Sequence, residues 1–342
     1  MSKPLSRILL PSRFQVITSP QNQVVQRLER LRRSKAAREE EGHVVVQGIK
    51  TLQELGSKGH HRVRTIGITF DKEKGPVRSP ALDVVTAVHL QEDRDTEQYV
   101  AVSRKLTTRI LGTDSPTAEH EVWAEVAIPD HSALFALSPS QRLLVFDQVS
   151  DPGNMGLMVR SAKAFSWDAG WQTPGTVDPF NDKVVRASRA LCLDFPMKVG
   201  GRWKDLDAFL KSREMVPLVA DMVPSWILQH DGRSSSKSTP AAIDPYKLVW
   251  WNWPSELPRN RVPEKIALIM SSEHHGVDGR GGRLLGRAIR VSIPMNPAVE
   301  SMNVAAAATA MMWELNRVLY SQGQNKASTR DNTELQIYDG DT

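Results

Sequence analysis

The chain has 342 residues, 40% of them apolar and 24% charged, with a formal net charge of +5. That describes a soluble globular protein long enough for two domains with separate cores. No apolar run approaches membrane-spanning length, and the single cysteine, Cys192, excludes a disulfide framework and any cysteine-cluster zinc site.

The charge is unevenly spread. Residues 1–14 form a basic leader without acids, the composition of an organellar transit peptide. The expected location is intracellular, mitochondrial or in another organelle if this leader is a transit peptide, and otherwise cytoplasmic. Up to Arg38 the cations face the lone acid Glu29. Arg27, Arg30, Arg33, Lys35 and Arg38 are therefore candidate contacts to a polyanion, nucleic acid ahead of a merely solvated helix face.

Residues 15–130 read as a first α/β unit. After Ser19-Pro20 a helix carries Val24, Leu28 and Leu31 on one side and runs to Gly42. Val44–Val46, Arg64–Thr69, Asp83–Val88 and Val122–Ile128 read as strands, Gly48–Leu55 and Glu97–Leu111 as helices. Pro129–Ser140 looks like a linker.

Residues 141–322 read as a second α/β unit. Its first strand, Leu143–Phe146, stops at Asp147, turns through Asp, Pro, Gly and Asn, and enters a helix. Asn154 is expected at the helix start and Arg160 two turns further in, above the apolar face Met155, Met158, Val159, Ala162 and Phe165. Asp178-Pro179 predicts a turn before a helix carrying Lys183 and Arg186, two further candidates for phosphate contact. Pro217–Asp221, Lys265–Met270 and Ala288–Ile293 read as strands. Residues 226–262 are a polar insertion whose tryptophans, Trp226, Trp250, Trp251 and Trp253, are expected to pack on the domain rather than stack on bases. A helix from Val304 to about Tyr320 follows, and residues 323–342 read as a disordered tail.

Three junctions, Asp147–Arg160, Met270–Gly276 and Ile293–Asn303, each place small or polar residues directly after a strand, where they can line one pocket. The loop Gly276–Gly282 lacks the glycine spacing of a dinucleotide fingerprint, so a Rossmann-type oxidoreductase is rejected. His274 and His275 are adjacent and point apart, and no metal is expected.

The segments Asn154–Arg160, Ser272–Gly276 and Ile293–Val304 resemble, in order and spacing, the three signature motifs of the SpoU (TrmH-type) RNA 2′-O-ribose methyltransferases of the SPOUT superfamily. The N-terminal unit, through Ile17–Asn22, Arg33–Glu41 and Val44–Gly48, is similar to the ribosomal-protein-L30e-like RNA substrate-binding domain that precedes many members. The resemblance implies an α/β catalytic domain threaded as a trefoil knot, a homodimer with its active site at the subunit interface, and S-adenosyl-L-methionine as cofactor. It implies cofactor contacts at Ser271, Ser272, Gly276, Ile293, Met295 and Met302, and an active site of Arg160, Asn154, Glu273, Ser301 and Asn303.

The implied reaction is methylation of a ribose 2′-OH, in rRNA ahead of tRNA. The rival reading is a non-catalytic RNA-binding or ribosome-assembly protein on the same fold. It draws on Ser271, which stands where the family has glycine and whose side chain could crowd the cofactor. Met302 replaces the usual leucine, and Gln47 a usual Glu.

Overall fold

The structure, a computed structural model, describes residues 12–58, 61–71, 75–76, 98–113, 122–139, 141–229, 243–259, 261–271, 281–296, 298–325 and 335–338. The chain divides into two units, one of residues 1–130 with 178–194, the other of residues 131–177 and 195–342. The leader up to residue 11 and the strand expected over Asp83–Val88 lie outside the described residues.

The first unit contains β1 (Phe14–Ile17), α1 (Gln23–Arg33), α2 (Lys35–Glu41), β2 (His43–Gln47) and α3 (Ile49–Lys58). It continues with β3 (Val63–Asp71), β4 (Gly75–Pro76), β5 (Gln98–Val102), α4 (Arg104–Leu111) and β6 (Val122–Ala127). The strand order is β1-β5-β3-β6-β2, with β4 beside β3. Val25, Leu28 and Leu31 of α1 are fully buried, as their helical spacing requires. Gly67 of β3 admits Trp123, whose indole occupies the space a β-carbon there would need.

The single helix expected up to Gly42 is broken at Ser34, which is extended and whose hydroxyl accepts from the Ala37 amide at 3.2 Å to start α2. A serine that satisfies a helix-start amide competes with helix continuation. The stretch expected as one helix over Glu97–Leu111 opens instead as β5, whose tyrosine and valines favour a pleated, half-buried strand. Ser103 then caps α4.

Residues 178–194 pack within this unit. Asp178 pairs with Arg38, Arg189 with Glu54 at 2.6 Å, and Asp194 with Lys58 at 2.5 Å.

In the second unit a short helix, His131–Ala136, occupies the expected linker and buries Phe135 in the core. Then come β7 (Arg142–Asp147), α5 (Pro152–Ala164), β8 (Ala169–Gln172), β9 (Met197–Lys198), α6 (Trp203–Ser212) and β10 (Val216–Ala220). The last elements are β11 (Val249–Trp251), β12 (Ile266–Ser271), β13 (Ile289–Ser292), α7 (Val304–Asn325) and β14 (Gln336–Tyr338). The sheet order is β14-β11-β13-β10-β12-β7-β8-β9. All neighbours from β13 to β9 are parallel, so their carboxyl ends share one edge of the sheet.

The insertion contributes β11, antiparallel to β13, and buries Trp250 and Trp253. The tail departs from expectation: α7 runs on to Asn325, and Gln336–Tyr338 forms a strand parallel to β11. Sequence periodicity does not register a three-residue edge strand. Pairing supplies what pattern does not, and Gln336 adds a side-chain bond from the Asp244 amide at 2.7 Å.

Candidate active site

The first junction is built on a buried acid. Asp147 ends β7 with no exposure. It accepts from the Thr173 hydroxyl at 2.8 Å and from the Ser271 hydroxyl at 3.1 Å. Three neighbouring parallel strands are thereby tied together at their carboxyl ends. Gln148 follows in the left-handed region, φ 53°, unusual for a residue with a β-carbon and typical of chain held at a site.

Asp151, not Asn154, caps α5. Its side chain accepts from the Asn154 amide at 2.7 Å, and Pro152 opens the first turn. The Asp-Pro pair is the stronger start signal, because proline at the first helical position loses no bond. Asn154 therefore stands inside the first turn with its amide oxygen free for another partner. That partner is Asn303, whose Nδ2 donates to Asn154 Oδ1 at 2.9 Å. Asn303 caps α7 at the same time, Oδ1 accepting from the amides of Ala305 at 3.0 Å and Ala306 at 3.2 Å.

Arg160 is exposed and has no ion-pair partner among the described residues. Six residues at about 100° each put it roughly 120° around the helix from Asn154. The opposite face, Met155, Met158, Val159 and Ala162, is fully buried, as expected. Helices α5 and α7 are joined by Ser161 to Thr309 at 2.8 Å, and by Asn316 to the Phe165 carbonyl at 2.7 Å.

A cavity of about 220 Å³ opens at the carboxyl ends of β10, β12 and β13. Ser271, Ile293, Met295, Ser301 and Met302 all line it, so the structure brings these together. Ala220, Asp221, Met222, Met270, Ser292, Val304, Ala307 and Met311 complete the wall. Five methionines give it a soft, polarizable lining. Ser271 does not aim a free hydroxyl at a ligand, since Asp147 takes it. Ser272, Glu273 and Gly276 lie outside the described residues. Asn154 and Arg160 do not line this cavity.

Asp221 is the residue that sequence reasoning undervalued, noting it only as an acid at a strand end. Its Oδ1 accepts from the Met222 amide at 2.8 Å and its Oδ2 from Arg290 Nη1 at 2.6 Å. Its position at the carboxyl end of a central parallel strand was the available signal.

A second, apolar groove of about 740 Å³ runs between α5 and α7, lined by Leu157, Phe165, Trp313 and the insertion residue Tyr246, with Asn303 and Ile293 at one end. Leu157, Trp313 and Tyr246 are 47%, 55% and 90% exposed.

The basic residues of the first unit are largely committed. Arg38 is buried and spends its donors on Asp178, on the Leu31 carbonyl at 2.7 Å and on the Arg32 carbonyl at 3.1 Å. It closes the end of α1 and is not presented to a phosphate, which corrects the sequence expectation. Arg27 pairs with the buried Glu125 at 2.9 Å, Arg30 with Glu41 at 2.8 Å, Arg33 with Glu29 at 2.8 Å and Lys35 with Glu39 at 3.5 Å. Glu39 and Glu41 belong to the carboxylate run that ends α2 and Glu125 to β6, all beyond the one-sided window, while Glu29 is the lone acid inside it. Of these, Arg30, Arg33 and Lys35 remain more than half exposed. Arg186 pairs with Asp182 at 3.2 Å, and Lys183 is exposed without a side-chain partner among the described residues. Burial pushes the Cys192 thiol up to about 12, so it is an inert core group.

Among the described residues no three His, Cys, Asp or Glu side chains come together as a metal site, and no helix is long and apolar enough to cross a membrane.

The sequence model of the SpoU rRNA Methylase family matches residues 141–313. The 23S rRNA (guanosine(2553)-2′-O)-methyltransferase RlmP of Bacillus subtilis is 28% identical over 204 residues, 59% of this chain and 68% of that protein. An uncharacterized tRNA/rRNA methyltransferase of Synechocystis sp. is 25% identical over 314 residues, 90% of this chain and 96% of its own. The crystal structure of the SpoU methyltransferase AviRb from Streptomyces viridochromogenes in complex with AdoMet superposes with a TM-score of 0.64. It is 20% identical, and the match covers 86% of this chain and 97% of that one.

Proposed function

The chain belongs to the SpoU rRNA Methylase family, and on that premise we propose that it is an S-adenosyl-L-methionine-dependent RNA methyltransferase acting on a ribose 2′-OH, in rRNA. The observation that carries this reading is the meeting of the motif segments. Asn303 reaches Asn154, while Ser271, Ile293, Ser301 and Met302 surround one cavity.

The cavity suits the cofactor chemically. It lies at the carboxyl edge of parallel strands, and the ladder of β13 ends at Ser292, which leaves the backbone from Ile293 onward outside it. The described residues of its wall are mainly apolar and thioether-rich, with Asp221 the one carboxylate among them. When bound, S-adenosyl-L-methionine supplies a methyl group already activated on a sulfonium.

The protein's remaining task is to position the ribose and ease loss of its proton. Arg160 takes the neighbouring phosphate and steadies the emerging oxyanion. A guanidinium stays protonated near neutral pH, so it serves as a clamp rather than a base. Asn154, Asn303, Ser301 and Glu273 hold the approach. Ser271, whose hydroxyl is bonded to Asp147, has little left with which to crowd the cavity, and this favours an enzyme over a non-catalytic RNA-binding protein.

The active form is a homodimer in which a second copy covers the apolar groove of α5 and α7. The arrangement is supported by Arg160 standing exposed outside the cavity of its own chain. The first unit is the L30e-like RNA-binding domain, and the C-terminal part of the second is threaded as a trefoil knot. Trp313→Glu should convert the dimer to monomer in sedimentation. The deciding experiment is calorimetry with S-adenosyl-L-methionine together with mapping of 2′-O-methyl sites on total RNA with and without the protein. No cofactor binding at millimolar concentration sinks the proposal.

A further inference from the structure

We propose that Asp221 is the ribose-reading group of the methionine-lined cavity, its carboxylate accepting the vicinal hydroxyls of the adenosyl ligand's ribose. The inference rests on the cavity being the adenosyl site, as argued above. Asp221 directly follows β10, which lies between β13 and β12, so it sits centrally on the edge where the cavity opens. It is the only ionisable side chain among the described residues of the wall, and it is 38% exposed.

Its hydrogen-bonding state selects the kind of ligand group it can take. Each oxygen already accepts one bond, from the Met222 amide and from Arg290. An ionised carboxylate has about four acceptor positions, so each oxygen keeps one. Two adjacent acceptors held at a fixed rotamer match two adjacent hydroxyls. The Arg290 guanidinium, 15% exposed, offsets the negative charge. That lowers the attraction for an ammonium or a sulfonium and leaves neutral donors as the better match. Hydroxyl bonds to a carboxylate are charge-assisted, and the surrounding apolar wall strengthens them.

The test measures affinities of the full-length protein for 5′-methylthioadenosine, for its 2′,3′-dideoxy counterpart and for S-adenosylhomocysteine. Wild type is compared with Asp221→Asn and Asp221→Ala. Wild type should prefer the diol ligand about tenfold or more, the scale of losing hydrogen bonds to a charged group. In Asp221→Ala the two thioadenosines should bind alike, with the whole loss on the diol ligand, and Asp221→Asn should fall between. S-adenosylhomocysteine should weaken by the same factor as methylthioadenosine.

A preference for the diol that persists in Asp221→Ala overturns the inference. So does an equal loss on both thioadenosines, which marks a structural role through Arg290. A loss on S-adenosylhomocysteine alone assigns the carboxylate to the ammonium and overturns it as well. If Asp221→Ala does not fold, the near-isosteric Asp221→Asn decides by the same ratio. Wild type that binds none of the three ligands defeats the cofactor reading itself, an outcome distinct from all of these.

Discussion

The helix pair α1–α2 and the α5 junction both present arginines beside a helix turn, yet they use them in opposite ways. In α1 and α2 each candidate cation meets a carboxylate: Arg27 meets Glu125, Arg30 meets Glu41, Arg33 meets Glu29, Lys35 meets Glu39, and Arg38 is sealed on Asp178. At α5, Arg160 stands exposed without an ion-pair partner among the described residues, and the acids of its junction are turned to other groups, Asp147 to Thr173 and Ser271 and Asp151 to the Asn154 amide. A guanidinium already paired in a dry setting is a structural strut, because releasing it would leave a buried charge. One held in water without a partner keeps its donors for a ligand. Charge counted along the chain does not separate the two cases; the location of the acids does.

The contrast breaks first at Arg160. Arg160→Ala should lower methyl transfer by about a hundredfold or more, the scale of a lost oxyanion-stabilising donor. The melting temperature and the S-adenosyl-L-methionine affinity should not move. A parallel loss of cofactor affinity would place Arg160 in the binding cavity instead.

Arg38 should do the reverse. Arg38→Met leaves Asp178 Oδ2 without its cation and two helix-end carbonyls unmet, and should cost about 3 kcal/mol in urea unfolding. RNA affinity of the protein that remains folded should be unchanged. Replacing both partners, Arg38→Met with Asp178→Leu, should recover part of the loss. A double variant as unstable as the single one would mean that the carbonyls, not the ion pair, carry the cost.

These two arginines also show what a single sequence can and cannot tell. Strand and helix positions in the second unit were legible because apolar runs such as Leu143–Phe146 and Ile266–Met270 are buried on both faces and bounded by turn residues. The ends of β12 and β13 were legible as the lining of one cavity for the same reason, while the junction after β7 does not line it. Pairings were not. Nothing in the local pattern says that Asp178 will meet Arg38, 140 positions away, or that Asp147 will gather Thr173 and Ser271. Asp221 was visible as a residue and invisible as a site, since its meaning lies in which strands flank β10.

Asn303 sharpens the comparison at smaller cost. It does two jobs, capping α7 and holding Asn154, and substitutions can divide them. Asn303→Ala should lose both, with about 1 kcal/mol of stability going with the cap. Asn303→Ser keeps an acceptor for the cap but is too short for Asn154. It should therefore melt like wild type and transfer methyl groups as poorly as Asn303→Ala. Full activity in the serine variant would reduce Asn303 to a helix cap.

The smallest effect is expected at Ser271, where the family's usual glycine is absent. Its hydroxyl and the Thr173 hydroxyl share Asp147, so losing one leaves the carboxylate with the other. Ser271→Ala removes the bond but keeps the β-carbon and should cost about 1 kcal/mol. Ser271→Gly adds the backbone entropy of glycine, roughly 0.5–1 kcal/mol more. S-adenosyl-L-methionine affinity should stay level in both, because the hydroxyl is already turned to Asp147. Tighter binding in both would show that the hydroxyl obstructs the cavity. Tighter binding in the glycine variant alone would point to the β-carbon, and Ser271 would then be a brake on cofactor binding rather than a tie between β7 and β12.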